Sequence, residues 1–280
     1  MKQKFFIILF SFLFSNCEKV ANTFFSDKDD VQMGISIDKE IQTSQEYKIL
    51  KNQNLENYVQ NIVNQLIKSP FIKKKKVYKY KVTLIDDDKT INAFCTPGGF
   101  IYVYTGLLKF LDNEASLAAV LSHEIAHAEK RHVRQRMLSA MSIQIILSIL
   151  FKDSTIFQDI AVNLGGTLAL LANSRADEME ADEYGFQYLK STPYYQGAMS
   201  YFFDKMVQAQ KNTKRSKTLE KILSTHPIPE DRLKANELRI SKNKISDPTP
   251  SNLLTSRYQS TIQTHLGKTE DIDLLDEIPE

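Results

Sequence analysis

The residues best suited to chemistry in this chain are two histidines that enclose a glutamate, in the run His123-Glu124-Ile125-Ala126-His127. On an α-helix, residues four apart lie one turn apart on the same face, so both imidazoles can reach one zinc ion. Glu124 then stands beside the open position of the metal, where a carboxylate can act as a general base. The spacing therefore predicts a zinc site of the metallopeptidase type.

A catalytic zinc site takes three protein ligands and leaves its fourth position for water. The chain has only two cysteines, so the third ligand is expected to be a carboxylate, and such a mixed set favours zinc over other divalent metals. The acidic segment 174–182 offers Asp177, Glu178 and Glu180. Helical periodicity alone does not choose among these three.

A zinc motif of this kind needs a rigid helix around it. The run from Leu117 to Met137 contains neither Gly nor Pro, and Asp112 or Asn113 can cap its start. Apolar residues spaced four apart from Leu117 onward form a stripe that would bury the helix. We expect this segment to be the central helix of the domain.

Other elements are predicted on both sides of this helix. Alternating apolar residues predict a strand at 77–85, with turn residues after it, and a second strand is expected at 100–104, after Pro97-Gly98-Gly99. Helical spacing covers 39–68, 139–172 and 175–190, and residues 225–233 read as a turn that enters a short helix. The sequence shows no repeat period, so a helical-repeat interaction domain is not expected.

Composition narrows the class of protein. Hydrophobic residues make up 42% and charged residues 25% of the 280 positions, which is typical of a globular domain. The formal net charge is +2, so there is no electrostatic reason to expect a nucleic-acid partner. Disulfide-rich and fibrous classes are excluded.

The amino terminus is predicted to be a targeting segment. Residues 1–16 begin with two lysines and continue into an apolar run that is too short to span a membrane, as in a secretory signal. Cys17 follows directly and resembles the acylated cysteine of bacterial lipoproteins. Asn16 stands where a small residue is usual, so a conventional signal peptide with an incidental cysteine stays open. Residues 17–36 are then expected to be a polar tether, and residues 241–280 a polar, loosely attached tail.

Several further motifs accompany the zinc motif. The chain resembles the zinc peptidase family numbered forty-eight among metallopeptidases, which includes CAAX prenyl proteases and the HtpX heat-shock protease, and it is most similar to the periplasmic lipoprotein branch. The resemblance runs from about Met33 to Arg232. The matching pieces are Asn92-Ala93-Phe94, Pro97-Gly98-Gly99, Tyr104 to Leu108, His123 to His127, Ser174-Arg175 through Glu178 and Asp182, and His226-Pro227 with Arg232.

The resemblance implies an α+β, mainly α fold over residues 37–240, a gluzincin-type metalloprotease domain with a central metal-binding helix and a small β-sheet beside the active site. It implies one Zn²⁺ per chain on His123, His127 and Glu178, with Glu124 as the general base. Only Glu178 lies four residues before Asp182 on the same helical face, which lets Asp182 orient a ligand histidine.

His226 is implied to lie near the zinc, where it either donates to the oxyanion or occupies the fourth position and holds the enzyme inactive. The simpler alternative is an exposed residue in a turn made by Pro227. His132 lies nine residues after His123, off the ligand face of a continuous helix, in a stretch rich in Lys and Arg. It is expected on a solvated or membrane-facing surface rather than at the metal.

An extended substrate is expected to add as a strand beside the segment that holds Asn92, Ala93, Phe94, Gly98 and Gly99. A simple glycine-containing hairpin turn explains the same residues equally well.

The resemblance implies an endopeptidase in the periplasm, lipid-anchored to the outer membrane, that cuts misfolded or stalled envelope proteins. The alternative is an anchored chaperone or assembly factor with gated or low protease activity. A prenyl-protein processing enzyme is a weaker alternative, because those relatives need several membrane-spanning helices. The sequence makes no prediction about the oligomeric state.

Overall fold

The computed structural model describes residues 25–140, 173–212, 217–227 and 230–267. These residues form a mainly helical domain with one small sheet, which confirms the predicted fold class. The first elements are α1 (Asp27–Thr43), α2 (Gln53–Leu66), β1 (Lys81–Ile85), β2 (Ala93–Thr96), β3 (Phe100–Tyr104), α3 (Thr105–Phe110) and α4 (Glu114–Glu129). They are followed by α5 (His132–Ala140), α6 (Arg175–Leu189), α7 (Met199–Asn212), α8 (Lys217–Thr225), α9 (Glu230–Lys242), α10 (Pro250–Leu253) and α11 (Thr255–Leu266).

The sheet has the strand order β1-β3-β2. Strand β3 pairs with β1 in parallel and with β2 in antiparallel, so β2 lies at one edge of the described sheet. Gly98 and Gly99 form the turn between β2 and β3, and both have positive φ angles, which glycine adopts without steric cost. A Cβ atom on Gly98 would come within 2.7 Å of the Cα of Val31, so this turn packs directly against α1.

Helix α4 is the centre of the molecule, and every one of its residues is buried. Asn113 caps its start by accepting a hydrogen bond from the backbone N–H of Ser116 at 2.9 Å, as predicted. Helix α6 packs along α4, and Gly185 permits the close approach, since a Cβ there would lie 3.2 Å from the backbone nitrogen of His123. The zinc motif therefore lies on a helix that is buried along its whole length.

The predicted helix 117–137 is interrupted in the structure. Helix α4 ends at Glu129, and Arg131 has a φ angle of 63°, in the left-handed region that ends helices. A new helix, α5, begins at His132. The interruption changes which residues after Glu129 face the protein interior.

The predicted tether over 17–36 is wrong for its second half. Helix α1 begins at Asp27, with a capping box between Ser26 and Asp29. Asp30 is buried and accepts hydrogen bonds from Arg131 at 2.8 Å and Arg134 at 3.0 Å. The acidic run at 27–30 is thus the favourable first turn of a helix rather than a solvated linker.

The predicted loosely attached tail over 241–280 is wrong for its first part. Tyr258 and Ile262 lie four residues apart on α11 and are both buried against the domain. Arg257 lies 3.0 Å from the buried carboxylate of Glu114, at the start of α4. These few contacts attach a mostly polar helix to the domain. Because most of its residues are polar, composition alone predicts a loosely attached segment.

Two other predictions differ in extent. The helical spacing at 39–68 belongs to two helices, α1 and α2, and the strand predicted at 77–85 covers only Lys81–Ile85. The predicted helix 139–172 falls almost entirely on residues 141–172, outside the described part, as do the signal segment and Cys17. Among the helices that are described, none has the length and apolar content to cross a bilayer.

Candidate metal centre and active site

Helix α4 brings its two histidines to one point. The Nε2 atoms of His123 and His127 lie 3.0 Å apart, and both side chains are buried. Glu124 lies between them in sequence and is also buried, and burial raises the pKa of its carboxyl group. The helix therefore presents two imidazole nitrogens and a neighbouring carboxyl group with a raised proton affinity.

Helix α6 supplies the carboxylates. Ser174 caps this helix with a capping box, which places Glu178 near its first turn. The Glu178 carboxylate lies 3.2 Å from Nε2 of His127 and 3.4 Å from Nε2 of His123. One turn later, Asp182 Oδ1 lies 3.0 Å from Nδ1 of His123, on the outer side of that ring.

His226 joins this group from the turn after α8. Its Nδ1 lies 3.0 Å from Glu178 Oε1, and its Nε2 lies 3.7 Å from Glu124 Oε1. Asn173 contacts the same ring, with 3.1 Å between its Nδ2 and His226 Nδ1. The alternative of an exposed turn residue does not agree with this position, since only 12% of the side chain is accessible.

Arg232 is the site residue that the sequence reasoning did not assign. From α9 it donates to both oxygens of Asp182 at 2.8 Å, and its Nη1 lies 2.6 Å from Glu178 Oε2. This buried guanidinium fixes the two carboxylates that face the histidines. Glu178 and Asp182 lie one helical turn apart, and two buried carboxylates this close need a buried cation. This requirement is the sequence signal that points to an arginine such as Arg232.

The donor set suits a metal cation. His123, His127, Glu178 and His226 each offer a ligand atom, and these atoms all lie within 4.8 Å of one another. Asp182 Oδ1 lies 3.0 Å from Nδ1 of His123, so a proton on Nδ1 faces the carboxylate and the lone pair of the neutral ring lies on Nε2, at the centre of the group. Two imidazoles and a carboxylate with one further position form a set that zinc prefers.

The electrostatics also suit a cation. Although burial lowers it, the charge of Glu178 and the hydrogen bond to Asp182 raise the pKa of His123 to about 10. Burial would raise the pKa of Glu178, but the charges of His226 and His123 hold it well below its usual value. Burial and the charge of His123 lower the pKa of His127. The negative charge of Glu178 therefore stabilises positive charge at this site.

An apolar pocket opens beside the donor set. Val120, Met199, Phe202 and Ile222 form its apolar wall, next to His123, Glu124, His226, Arg232 and Ala93. Its lining thus places apolar side chains next to the two histidines and the glutamate.

Only part of the predicted substrate segment lies at the pocket. Ala93 lines the pocket, and Asn92 is buried just before it, with a side-chain amide that has no hydrogen-bond partner among the residues described. Phe94 points elsewhere and stacks on Tyr102. Gly98 and Gly99 are not among the pocket residues, because they pack against α1 and Tyr80. Their position agrees with the hairpin-turn alternative.

The predicted surface position of His132 is wrong. Its accessible fraction is 2%, and its Nδ1 lies 2.9 Å from Nδ1 of His127. On its other side, Nε2 lies 2.9 Å from Glu180 Oε2. The left-handed residue Arg131 turns α5 relative to α4, so the helical phase counted from His123 does not apply to His132.

The fold and this site define a zinc-dependent metallopeptidase. A sequence model described as Peptidase family M48 matches residues 53–239, and the chain belongs to that family. Proteins named metalloendopeptidase are among the relatives that this chain matches.

Three relatives show the range of similarity. The beta-barrel assembly-enhancing protease of Yersinia pestis is 31% identical over 208 residues, which cover 70% of this chain and 41% of that protein. The protein of the same name from Escherichia coli strain K12 is 33% identical over 172 residues, covering 56% and 34%. The mitochondrial metalloendopeptidase OMA1 of Saccharomyces cerevisiae is 27% identical over 211 residues, covering 74% and 61%. The chain thus spans between about one third and two fifths of the length of these two bacterial relatives.

Proposed function

We propose that this chain is a zinc-dependent endopeptidase of the bacterial cell envelope that hydrolyses peptide bonds in misfolded or stalled envelope proteins. The observation that carries the proposal is the meeting of His123, His127 and Glu178 at one point, with Glu124 and an apolar pocket beside them. Relatives named beta-barrel assembly-enhancing protease support the envelope setting and the protein substrate.

In this proposal His123, His127 and Glu178 hold zinc, and Asp182 orients His123 through its Nδ1. Zinc, when bound, supplies a Lewis acid that polarises the scissile carbonyl and acidifies water. Glu124 takes the proton of the attacking water and delivers it to the leaving amine, a role that its raised pKa suits. Arg232 keeps Glu178 and Asp182 in place.

The substrate is proposed to bind in an extended conformation along β2. Within the described sheet, β2 pairs only with β3, and its residue Ala93 lines the pocket. Backbone hydrogen bonds to a free strand edge do not depend on the side chains of the substrate. Specificity would therefore be broad and set chiefly by the apolar pocket.

The proposal includes an anchor to the outer membrane through an acylated Cys17, after removal of residues 1–16. The substitution Cys17→Ser tests it. We expect the full-length protein to move from the membrane fraction to the soluble fraction and to lose incorporation of labelled fatty acid. Unchanged membrane association without a label would assign the anchor to another part of the chain.

A second candidate function is an assembly factor or chaperone whose protease activity is gated. It is favoured by the position of His226, which belongs to the donor set and contacts Glu178. A histidine at the fourth position would keep water away from the metal. The protease and the gated assembly factor would then differ in how often His226 leaves the fourth position of the metal.

The substitution His226→Ala tests the gate. We expect faster cleavage of an unfolded protein at unchanged zinc content, because the fourth position becomes free for water. Slower cleavage at unchanged zinc content would instead assign His226 to oxyanion stabilisation, and unchanged kinetics would remove it from the reaction.

The substrate class is tested with one outer-membrane barrel protein offered to the purified mature domain in its unfolded and folded forms. We expect cleavage of the unfolded form alone, and none by the Glu124→Gln variant at equal zinc content. Equal cleavage of both forms would contradict the proposed quality-control role. Binding of the unfolded form without cleavage, by a zinc-loaded parent, would favour the assembly-factor function.

A further inference from the structure

The two histidines of the metal motif both have a contact on the ring nitrogen that points away from the donor set. For His123 that contact is Asp182, at 3.0 Å. For His127 it is another histidine, His132, with 2.9 Å between the two Nδ1 atoms. His132 in turn has Glu180 at 2.9 Å from its Nε2. A chain of three side chains therefore leads from the metal position to Glu180.

The direction of the hydrogen bonds in this chain follows from its outer end. An ionised carboxylate only accepts, so Nε2 of His132 must carry the proton that faces Glu180. The neutral ring of His132 then has its lone pair on Nδ1, where it can accept from Nδ1–H of His127. This places the proton of His127 on Nδ1 and its lone pair on Nε2, which faces the donor set.

We infer that His132 and Glu180 are positioning residues that fix the metal-binding tautomer and the ring orientation of His127. The inference rests on the proposed role of His127 as a zinc ligand. The His132–Glu180 pair would orient the ring of His127 as Asp182 orients the ring of His123, although the groups are different. Outer contacts of this kind raise the basicity of a ligand histidine and limit its rotation.

The surroundings of the pair agree with this role. His132 is buried, with 3% of its side chain accessible, so water does not compete for Nδ1. Glu180 lies at the surface with 42% of its side chain accessible, and Lys130 contacts its other oxygen at 2.8 Å. The neighbouring Asp177 lies 3.8 Å from Nε2 of His132, beyond hydrogen-bond distance. Glu180 is thus the acceptor that orients His132.

The test compares two substitutions of nearly equal size, His132→Asn and His132→Leu, in the purified mature domain. Asparagine has an oxygen near the position of Nδ1 and can accept from His127, whereas leucine cannot. Zinc affinity is measured by competition with a chelator. We expect His132→Leu to weaken zinc binding by about 10- to 100-fold, and His132→Asn to recover most of that loss.

Substitutions on α6 provide a second readout that leaves the buried ring in place. Glu180→Leu removes the outer acceptor from a partly exposed position, and we expect a smaller loss of zinc affinity, below about tenfold. Glu183→Leu is the matched control, because Glu183 lies on the same helix with 46% of its side chain accessible and pairs with Arg239 instead. Its zinc affinity is expected to equal that of the parent.

The outcomes separate this inference from the proposed function. If the parent binds zinc and His132→Leu binds it equally tightly, the positioning role is overturned and the metal site stands. Equal losses in His132→Leu and His132→Asn would also overturn it, since they would reflect packing alone. If the parent binds no zinc, the metal site itself is overturned and the inference fails with it.

Discussion

The outer contacts of His123 and His127 differ in burial and charge. Asp182, which contacts His123, is buried, and the equally buried Arg232 holds it through two hydrogen bonds. His127 instead contacts neutral His132, whose own partner Glu180 is partly exposed to solvent. A buried ion pair is costly to disturb, whereas a surface carboxylate contributes little to stability. His123 therefore has a rigid, buried support, whereas solvent reaches the outer end of the support of His127.

The largest effect is expected on the rigid side, for Arg232→Met. This change leaves the carboxylates of Glu178 and Asp182 buried without their cation, and loss of one partner of a buried pair costs about 3–5 kcal/mol. We expect the free energy of unfolding of the zinc-free domain to fall by about that amount in urea denaturation.

Arg239→Met is the matched control for this prediction. Arg239 also reaches from α9 to a carboxylate on α6, with 2.6 Å between its Nε and Glu183, but that carboxylate is half exposed. We expect the free energy of unfolding to change by at most about 1 kcal/mol. Equal losses for the two arginines would contradict the distinction between a buried and an exposed pair.

A smaller effect is expected for Asp182→Asn, which keeps an oxygen near Nδ1 of His123 and removes the negative charge. The weaker acceptor should lower the basicity of His123 and reduce zinc affinity by about 10- to 100-fold in chelator competition. Zinc affinity equal to that of the parent would show that Asp182 serves only to bind Arg232.

The smallest effect is expected on the exposed side, for Lys130→Met. Lys130 contacts Glu180 at 2.8 Å and lies over the ring of Tyr184, but both the lysine and the glutamate are partly exposed. Stability is expected to change by at most about 1 kcal/mol and zinc affinity to stay unchanged. A loss of zinc affinity matching that of Asp182→Asn would show that the lysine, and not the carboxylate, orients His132.

The sequence predicts well whatever depends on neighbours within one element. The spacing of His123 and His127, the cap at Asn113 and the pairing of Glu178 with Asp182 on one helical face are all local, and the structure shows each of these arrangements. The fold class follows from the same periodicities and from the family resemblance.

What the sequence analysis missed depends on contacts between distant segments or on a break in regular structure. Arg232 lies 50 residues after Asp182, and no periodicity connects them. The predicted surface position of His132 assumes a helix that continues through Arg131, where the helix in fact ends. Helix α11 stayed hidden since only Tyr258 and Ile262 are buried in a polar segment.

The central claim is that Glu124 is the general base of a zinc peptidase. It is tested most directly by proteolysis of unfolded casein by the purified mature domain and by its Glu124→Gln variant, with the metal content of both determined. We expect cleavage by the parent, a loss of at least about 10² in rate for the variant, and one zinc in each. Normal cleavage by the variant, or a parent that cleaves without bound metal, would contradict it.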